Sequence, residues 1–372
     1  MRIAITLLFA LALFARTNAS DSLSKSRNIP VFVNGESGYA CFRIPAIICT
    51  EKGLLVAIAE GRKGGCSDTG DIDLVSKRSK DGGKTWSALQ VIWDDHDNTC
   101  GNPAPVLDRV TGTIHLLSTW NLGKDREPQI IDQTSTDTRR VFVMHSDDDG
   151  ANWSSPVEIT ASVKLPEWTW YATGPGSGIQ LQYGSHQGRL MVACDHIEAQ
   201  TKKYFSHVIF SDDHGQTWQL GGTTPMDMVN ECEVAELENG EILLNMRNYD
   251  RSQRKRQVAS SKDGGLTWTD QRFQDELIEP ICQGSLLVYR NKNQSVLLFS
   301  NPASTEKREN MCLKISRDSG LTWPQTIVLF PGPSAYSDLV IDKKGRVGCL
   351  FESGVQSPYE QIIYTNRKIR RD

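Results

Sequence analysis

Six near-continuous apolar runs punctuate the chain, at 53–60, 112–120, 188–195, 240–247, 293–300 and 345–352. Each follows a Gly or a polar turn residue and stops abruptly at Glu60, Trp120, Asp195, Arg247, Ser300 or Glu352. Runs of five or six apolar residues suit strands buried on both faces. Their spacing of about 50 to 76 residues leaves room for four short strands per unit. The pattern predicts an all-β fold, a six-bladed β-propeller whose first and last strands pair to close the ring.

A second repeat runs out of phase with the first. The segment Ser-x-Asp-x-Gly-x-(Thr/Asn)-Trp begins at Ser79, Ser146, Ser211, Ser261 and Ser316. In each copy the Asp (Asp81, Asp148, Asp213, Asp263, Asp318) is placed to accept backbone N–H groups across a tight turn, and the Gly permits positive φ. The Trp then plugs the turn into an apolar layer. No Glu follows at the spacing of a calcium loop in any copy, so these segments read as architecture.

Composition narrows the classes that remain. With 372 residues, 38% hydrophobic and 23% charged, and no Pro/Gly/Ser-rich linker, one large globular domain is expected. The net charge of −4 leaves no basic footprint for nucleic acid. No apolar run reaches the roughly 18 residues of a membrane span, and no His/Cys spacing suggests a metal, so no cofactor is expected. Arg2, the apolar stretch Ile3 to Ala15 and the small-residue site Thr17-Asn18-Ala19 predict a signal peptide over 1–19, with the propeller in 20–372. The destination is then the secretory route, extracellular or lysosomal. Of nine cysteines, an odd number, Cys41 with Cys49 and Cys66 with Cys100 are candidate bridges; the alternative is that several are small buried hydrophobes. Asn293-Gln294-Ser295 is a candidate glycan site in a turn, whereas Asn152-Trp153-Ser154 lies inside a Trp turn.

The repeat also gathers chemistry. Equivalent strands run the same way in every unit, so the six polar termini are expected at one mouth of the central channel. Arg43, Arg247 and Arg308 stand out beside them, because three rigid guanidinium forks around one anion select a carboxylate. Arg43 sits in an apolar run ending at Pro45, where a buried guanidinium needs a partner such as Glu352.

These residues resemble the exo-α-sialidase (neuraminidase) family of glycoside hydrolases, in both its bacterial and animal lysosomal-type members. The resemblance covers nearly the whole chain after the signal peptide. It rests on Phe42-Arg43-Ile44-Pro45, the five Asp turns, 174–180, Asn230-Glu231-Cys232, 299–302 and 331–337. The resemblance implies that Arg43, Arg247 and Arg308 grip the carboxylate of a sialic acid and that Glu352 orients Arg43. It implies Tyr336 as nucleophile with Glu231 as its base, Asp68 as acid/base residue, and Arg62 near O4 of the sugar. Glu231 is preferred to Glu233 because it lies sixteen residues before Arg247, as in the family. Asn102 stands where several relatives have Asp. Trp120, Asn121, Trp168 and Trp170 are candidate walls for the N-acyl group or the aglycone. The implied partners are sialylated glycans. A trans-sialidase is the nearer alternative; a non-catalytic sialic-acid-binding propeller would be expected to lack Tyr336, Glu231 or Asp68, all of which are present.

Overall fold

The computed structural model describes residues 27–291 and 294–369. The expected signal peptide and the asparagine of the 293–295 glycan site lie outside the described residues. The chain is all-β, and its strands pair antiparallel in groups of four. The first group is Cys41–Cys49, Leu55–Arg62, Ile72–Ser79 and Gln90–Trp93. The second runs from Thr99–Leu107 through Ile114–Asn121 and Arg140–Ser146 to Val157–Glu158. Trp168–Thr173, Leu190–Glu198, Tyr204–Ser211 and Gln219–Thr223 form the third, and Val229–Glu236, Ile242–Asn248, Lys255–Ser261 and Thr269–Ile278 the fourth.

The long strand Gln325–Ile341 serves two groups. Its first half pairs with Glu309–Ser316, beside Gln294–Pro302 and Ser285–Asn291, and its second half pairs with Val347–Ser353. The last strand, Gln361–Arg367, lies between Val347–Ser353 and the first strand, Ile29–Val33, with Ile29 opposite Tyr364. The expected pairing of the chain's two ends is thus present.

The apolar runs are buried because each sheet is covered on both faces. Ile58, Leu74, Leu107 and Leu116 fill the layer between the first and second groups. Corresponding layers follow between each group and the next, and the last returns to the first through Phe42, Leu55, Leu350 and Tyr364.

The Ser-x-Asp turns key these layers from the outside. In the first, Asp81 accepts Ser79 Oγ at 2.9 Å, Thr85 N at 3.0 Å and Thr85 Oγ1 at 2.7 Å, while Ser79 Oγ accepts Gly83 N. The other four repeat this pattern. Each Trp enters the layer shared with the preceding group; Trp86 meets Tyr364 edge-on at 5.6 Å and Trp323 meets Phe299 at 6.1 Å. In the second turn Asn152 donates its side-chain amide to Asp148 at 2.7 Å, which engages it structurally.

The cysteine pairing differs from expectation. Cys41 is bonded to Cys66, whereas Cys49 and Cys100 are free thiols. Cys41 and Cys49 stand at opposite ends of one extended strand, at ~3.3 Å per residue far beyond disulfide reach. Cys100 is packed in the apolar layer between the first two groups.

The turns generate a pH prediction. Slight burial would raise the Asp81 carboxyl, but the bonds from Thr85 outweigh it and hold it down at about 2; Asn152 leads in holding Asp148 at about 2. Both values lie below the unfolded value of about 3.9. The stability they contribute is therefore present above about pH 4 and is lost as pH falls through about 2. Denaturant titrations across that window are expected to show falling stability, and Asp81→Ala is expected to cost about 1–2 kcal/mol at neutral pH.

Candidate active site

Irregular strand pairing, rather than loops alone, builds the site. The innermost strand of five groups breaks register, between Arg43 and Ala46, Gly101 and Ala104, Trp168 and Tyr171, Val229 and Cys232, and Ser334 and Ser337. Such bulges re-aim side chains out of the pleat. Here they fall at Arg43, Asn102, Trp170, Glu231 and Tyr336, all of which line one cavity of about 180 Å³. Ile44 (φ 57°) and Asn102 (φ 53°) take the left-handed conformation within these bulges, a strained geometry for a β-branched residue such as Ile44.

Tyr336 stands at the centre, 6% exposed. Its hydroxyl donates to Glu231 Oε1 at 2.5 Å and accepts from Arg247 Nη1 at 3.1 Å, while Arg247 Nη1 also donates to Glu231 Oε2 at 2.6 Å. The Arg43 and Arg308 guanidinium carbons lie 5.1 and 5.5 Å from the Tyr336 ring. Burial first, and then the charge of Glu231, push the phenol well above its usual value of 10 despite Arg247 and Arg308. It is therefore protonated at neutral pH, with a carboxylate in place to accept its proton.

The three guanidiniums differ in how they are satisfied. Arg43 Nε is bound to Glu352 at 2.9 Å, and Glu352 also accepts Ile44 N at 2.9 Å and Tyr336 N at 3.1 Å. Arg308 donates to Tyr359 Oη at 2.7 Å and Ile281 O at 3.1 Å, and among the described residues no ion pair joins it to a carboxylate. The buried Nε of Arg247 has no partner among the described residues. Charge is left over here for a ligand anion.

Asp68 lies on the loop after Leu55–Arg62, its side chain 72% exposed, with Oδ1 2.7 Å from Arg62 Nη1 and 3.5 Å from Arg43 Nη1. Desolvation in the site would raise its carboxyl, but Arg62 and Arg43 outweigh that and lower it. Arg62 is held by Glu60 Oε2 at 3.0 Å, and Glu60 Oε1 accepts Asn102 N at 2.8 Å.

The expected convergence of strand termini holds for Glu60, Asp195 and Arg247, which line the cavity, and for Glu352 beneath Arg43. It does not hold for Trp120 or Ser300. Trp120 donates to Asp95 at 2.7 Å and packs on Phe142, outside the cavity; Ser300 hydrogen-bonds Ser337 in the buried interior. Trp168 is likewise core, stacked 3.5 Å from His196, and Asn121 is buried as an acceptor for Arg139. Only Trp170 of the four proposed walls reaches the cavity, with the Arg139 guanidinium 4.1 Å from its ring.

Of the further lining residues, Glu127 from a short helix, Arg139 and Tyr249 carried no motif signal, whereas Asn230 belongs to the Asn230-Glu231-Cys232 motif but was given no role of its own. Arg139 donates to the Asn102 side chain, and burial pushes it down to about 10, so it stays charged at neutral pH. Burial, then Glu231 and Glu127, raise Asp195 well above the carboxylate range. Asn230 donates to its Oδ1 at 2.9 Å, and its Oδ2 has no partner. Among the described residues no cluster of His, Cys, Asp and Glu has the geometry of a metal site.

A family model described as a BNR repeat-like domain matches residues 53–349. A sialidase of Micromonospora viridifaciens is 34% identical over 88% of this chain and 52% of its own length, so the chain spans about half of that relative. An exo-alpha-sialidase of Arthroderma benhamiae is 30% identical over 82% of this chain and 74% of its own. Among solved structures, the Hadza microbial sialidase Hz136 superposes with a TM-score of 0.83 at 31% identity, covering 92% of this chain and 68% of that one.

The Glu352 geometry makes a stability prediction. Removing it strands a buried guanidinium and two backbone donors, so Glu352→Ala is expected to cost about 3–5 kcal/mol by denaturant titration, with Glu352→Gln retaining part of that stability through its amide oxygen.

Proposed function

Because the chain belongs to the sialidase family, we propose that it is a retaining exo-α-sialidase that hydrolyses terminal α-linked sialic acids from glycoproteins, glycolipids and oligosaccharides. The observation that carries this reading is the neutral Tyr336 hydroxyl, 2.5 Å from Glu231 and ringed by three arginines. Tyrosine as nucleophile is a family expectation for sialidases among glycosidases. The physics supports it. Sialic acid carries its carboxylate on the anomeric carbon, and an anionic nucleophile ~3.5 Å away would meet a repulsion of roughly 5 kcal/mol at an effective dielectric of about 20.

In the first step the phenol oxygen bonds to the anomeric carbon, Glu231 takes the phenol proton, and the bond to the aglycone oxygen breaks as Asp68 protonates it. In the second, Asp68 takes a proton from water, whose oxygen bonds to the anomeric carbon as the bond to Tyr336 breaks; the departing phenol oxygen recovers its proton from Glu231, and the starting configuration is restored. Asp68 is ionised in the free protein because Arg62 and Arg43 face it. A ligand carboxylate on Arg43 offsets part of that charge and favours the protonated form the first step needs. Arg62 and Asn102 then face O4, while Trp170, Tyr249 and Glu127 serve the N-acyl and glycerol groups.

The architecture that accommodates the groups of four strands is a six-bladed β-propeller in residues 20–372, following a signal peptide over 1–19. Delivery to the secretory route, extracellular or lysosomal, fits the Cys41–Cys66 disulfide.

The test is NMR of the anomer first released from an α-sialoside, beside Tyr336→Phe. The α anomer of free sialic acid is expected first, and the variant should lose at least about 10³-fold in kcat. First release of the β anomer, or a fully active Tyr336→Phe, overturns the mechanism; an anhydro or transferred sugar as product replaces hydrolysis by transfer.

A further inference from the structure

Asp68 is set at the tip of a segment with few attachments. Residues 63–71 join Leu55–Arg62 to Ile72–Ser79, closed at the base by Lys63 N donating to Asp71 O at 3.1 Å. The segment contains Gly64, Gly65 and Gly70, the last two with φ of 123° and 117°, so ordering it costs more backbone entropy than an ordinary loop. Its tip, Cys66 to Asp68, is exposed and brings no apolar side chain to the core. Arg62 Nη1, on a buried side chain, donates to Cys66 O, Ser67 O and Asp68 Oδ1 at 2.7–2.9 Å; two of these bonds hold the backbone of the tip, while the third runs through the exposed acid itself, a weak fixture for a group that must give up and regain a proton.

The other attachment is covalent. Cys66 stands two residues before Asp68, and its partner Cys41 stands two residues before Arg43, wholly buried in the innermost strand of the first group. The strand period of two puts Cys41 and Arg43 on one face. The bridge therefore ties the tip of the segment to the strand whose arginine lies 3.5 Å from Asp68. Both sulfurs lie 3.9 Å from the carbonyl oxygen of Tyr359, whose ring covers Arg43 at 4.1 Å and whose hydroxyl binds Arg308.

We propose that the Cys41–Cys66 disulfide is a positioning element for the acid/base residue: it fixes the Asp68 carboxyl over Arg43, at the place where the aglycone oxygen departs. The inference rests on the sialidase reading. Proton transfer requires heavy atoms within ~2.6–3.2 Å, and a misplacement of about 1 Å costs roughly 10²-fold. Releasing the tip removes proton donation while leaving the Tyr336–Glu231 pair and the arginines in place.

The experiment compares kcat/KM, which reports the steps through aglycone departure, for sialyllactose and for an aryl sialoside whose acidic phenol leaves without a proton. The samples are native protein, protein reduced with dithiothreitol in its folded state, and Cys41→Ser/Cys66→Ser, with Asp68→Ala as reference. Reduction and the double substitution are expected to lower the sialyllactose value by roughly 10²-fold and the aryl value by no more than about threefold, the same ordering as Asp68→Ala. Equal losses on the two substrates would make the bridge a merely structural staple, and no loss on either would leave Asp68 positioned without it; both overturn the proposal. Native protein that cleaves neither sialoside overturns the functional reading itself. If the double variant fails to fold, the reduced native protein, with its near-ultraviolet circular dichroism unchanged, gives the same comparison.

Discussion

Glu352 has no access to solvent, yet it accepts hydrogen bonds from Arg43 Nε, Ile44 N and Tyr336 N. Through these bonds one carboxylate sets the Arg43 guanidinium, the bulge that aims it, and the backbone of Tyr336. Arg43 and Glu352 are 309 residues apart. They meet only because the first strand pairs with the last and the neighbouring layer closes over Phe42, Leu55, Leu350 and Tyr364. The closure of the strands and layers therefore bears on the site through this buried ion pair. Breaking either partner exposes the other to the full penalty of an unpaired buried charge.

The site's charges are arranged for exchange rather than simple neutralisation. Arg62 is paired to Glu60 and Arg247 to Glu231, so these guanidiniums are partly satisfied in the free protein. Among the described residues Arg308 is held by a phenol and a carbonyl alone, and one nitrogen of Arg247 is buried without an acceptor. In the proposed reaction an incoming carboxylate completes these forks and in doing so changes the field at Asp68. The proposal thereby couples substrate binding to the protonation of Asp68 without any moving part. Tyr336, buried and kept neutral, is the one potential nucleophile in this environment that an anionic substrate does not repel.

Much of this was legible along the chain because repetition translates directly into geometry. Six apolar runs with polar ends marked equivalent strands, and Glu60, Asp195, Arg247 and Glu352 do gather at one place. Trp120 and Ser300 do not, since a strand end specifies position along the strand and not the direction its side chain takes. The bulges at Arg43, Asn102, Trp170, Glu231 and Tyr336 interrupt the period of two, and strands read from near-continuous apolar runs carry no register in which to find them. Glu127 and Arg139 come from connecting segments whose placement depends on the tertiary fold. The cysteines show the same limit. Cys41 pairs with Cys66 because a hairpin tip folds back over the neighbouring strand, a proximity that spacing does not encode.

The account turns on a bond between Tyr336 and the anomeric carbon. Its most direct test is to trap that bond with a 2,3-difluorinated sialic acid, whose fluorine at C3 slows turnover of the glycosyl-enzyme, and to locate the added mass by peptide mass spectrometry. The prediction is one equivalent of sugar on the peptide containing Tyr336, formed with release of fluoride and lost slowly as activity returns. A label on Glu231 or Asp68, or turnover with inversion and no covalent adduct, would contradict it.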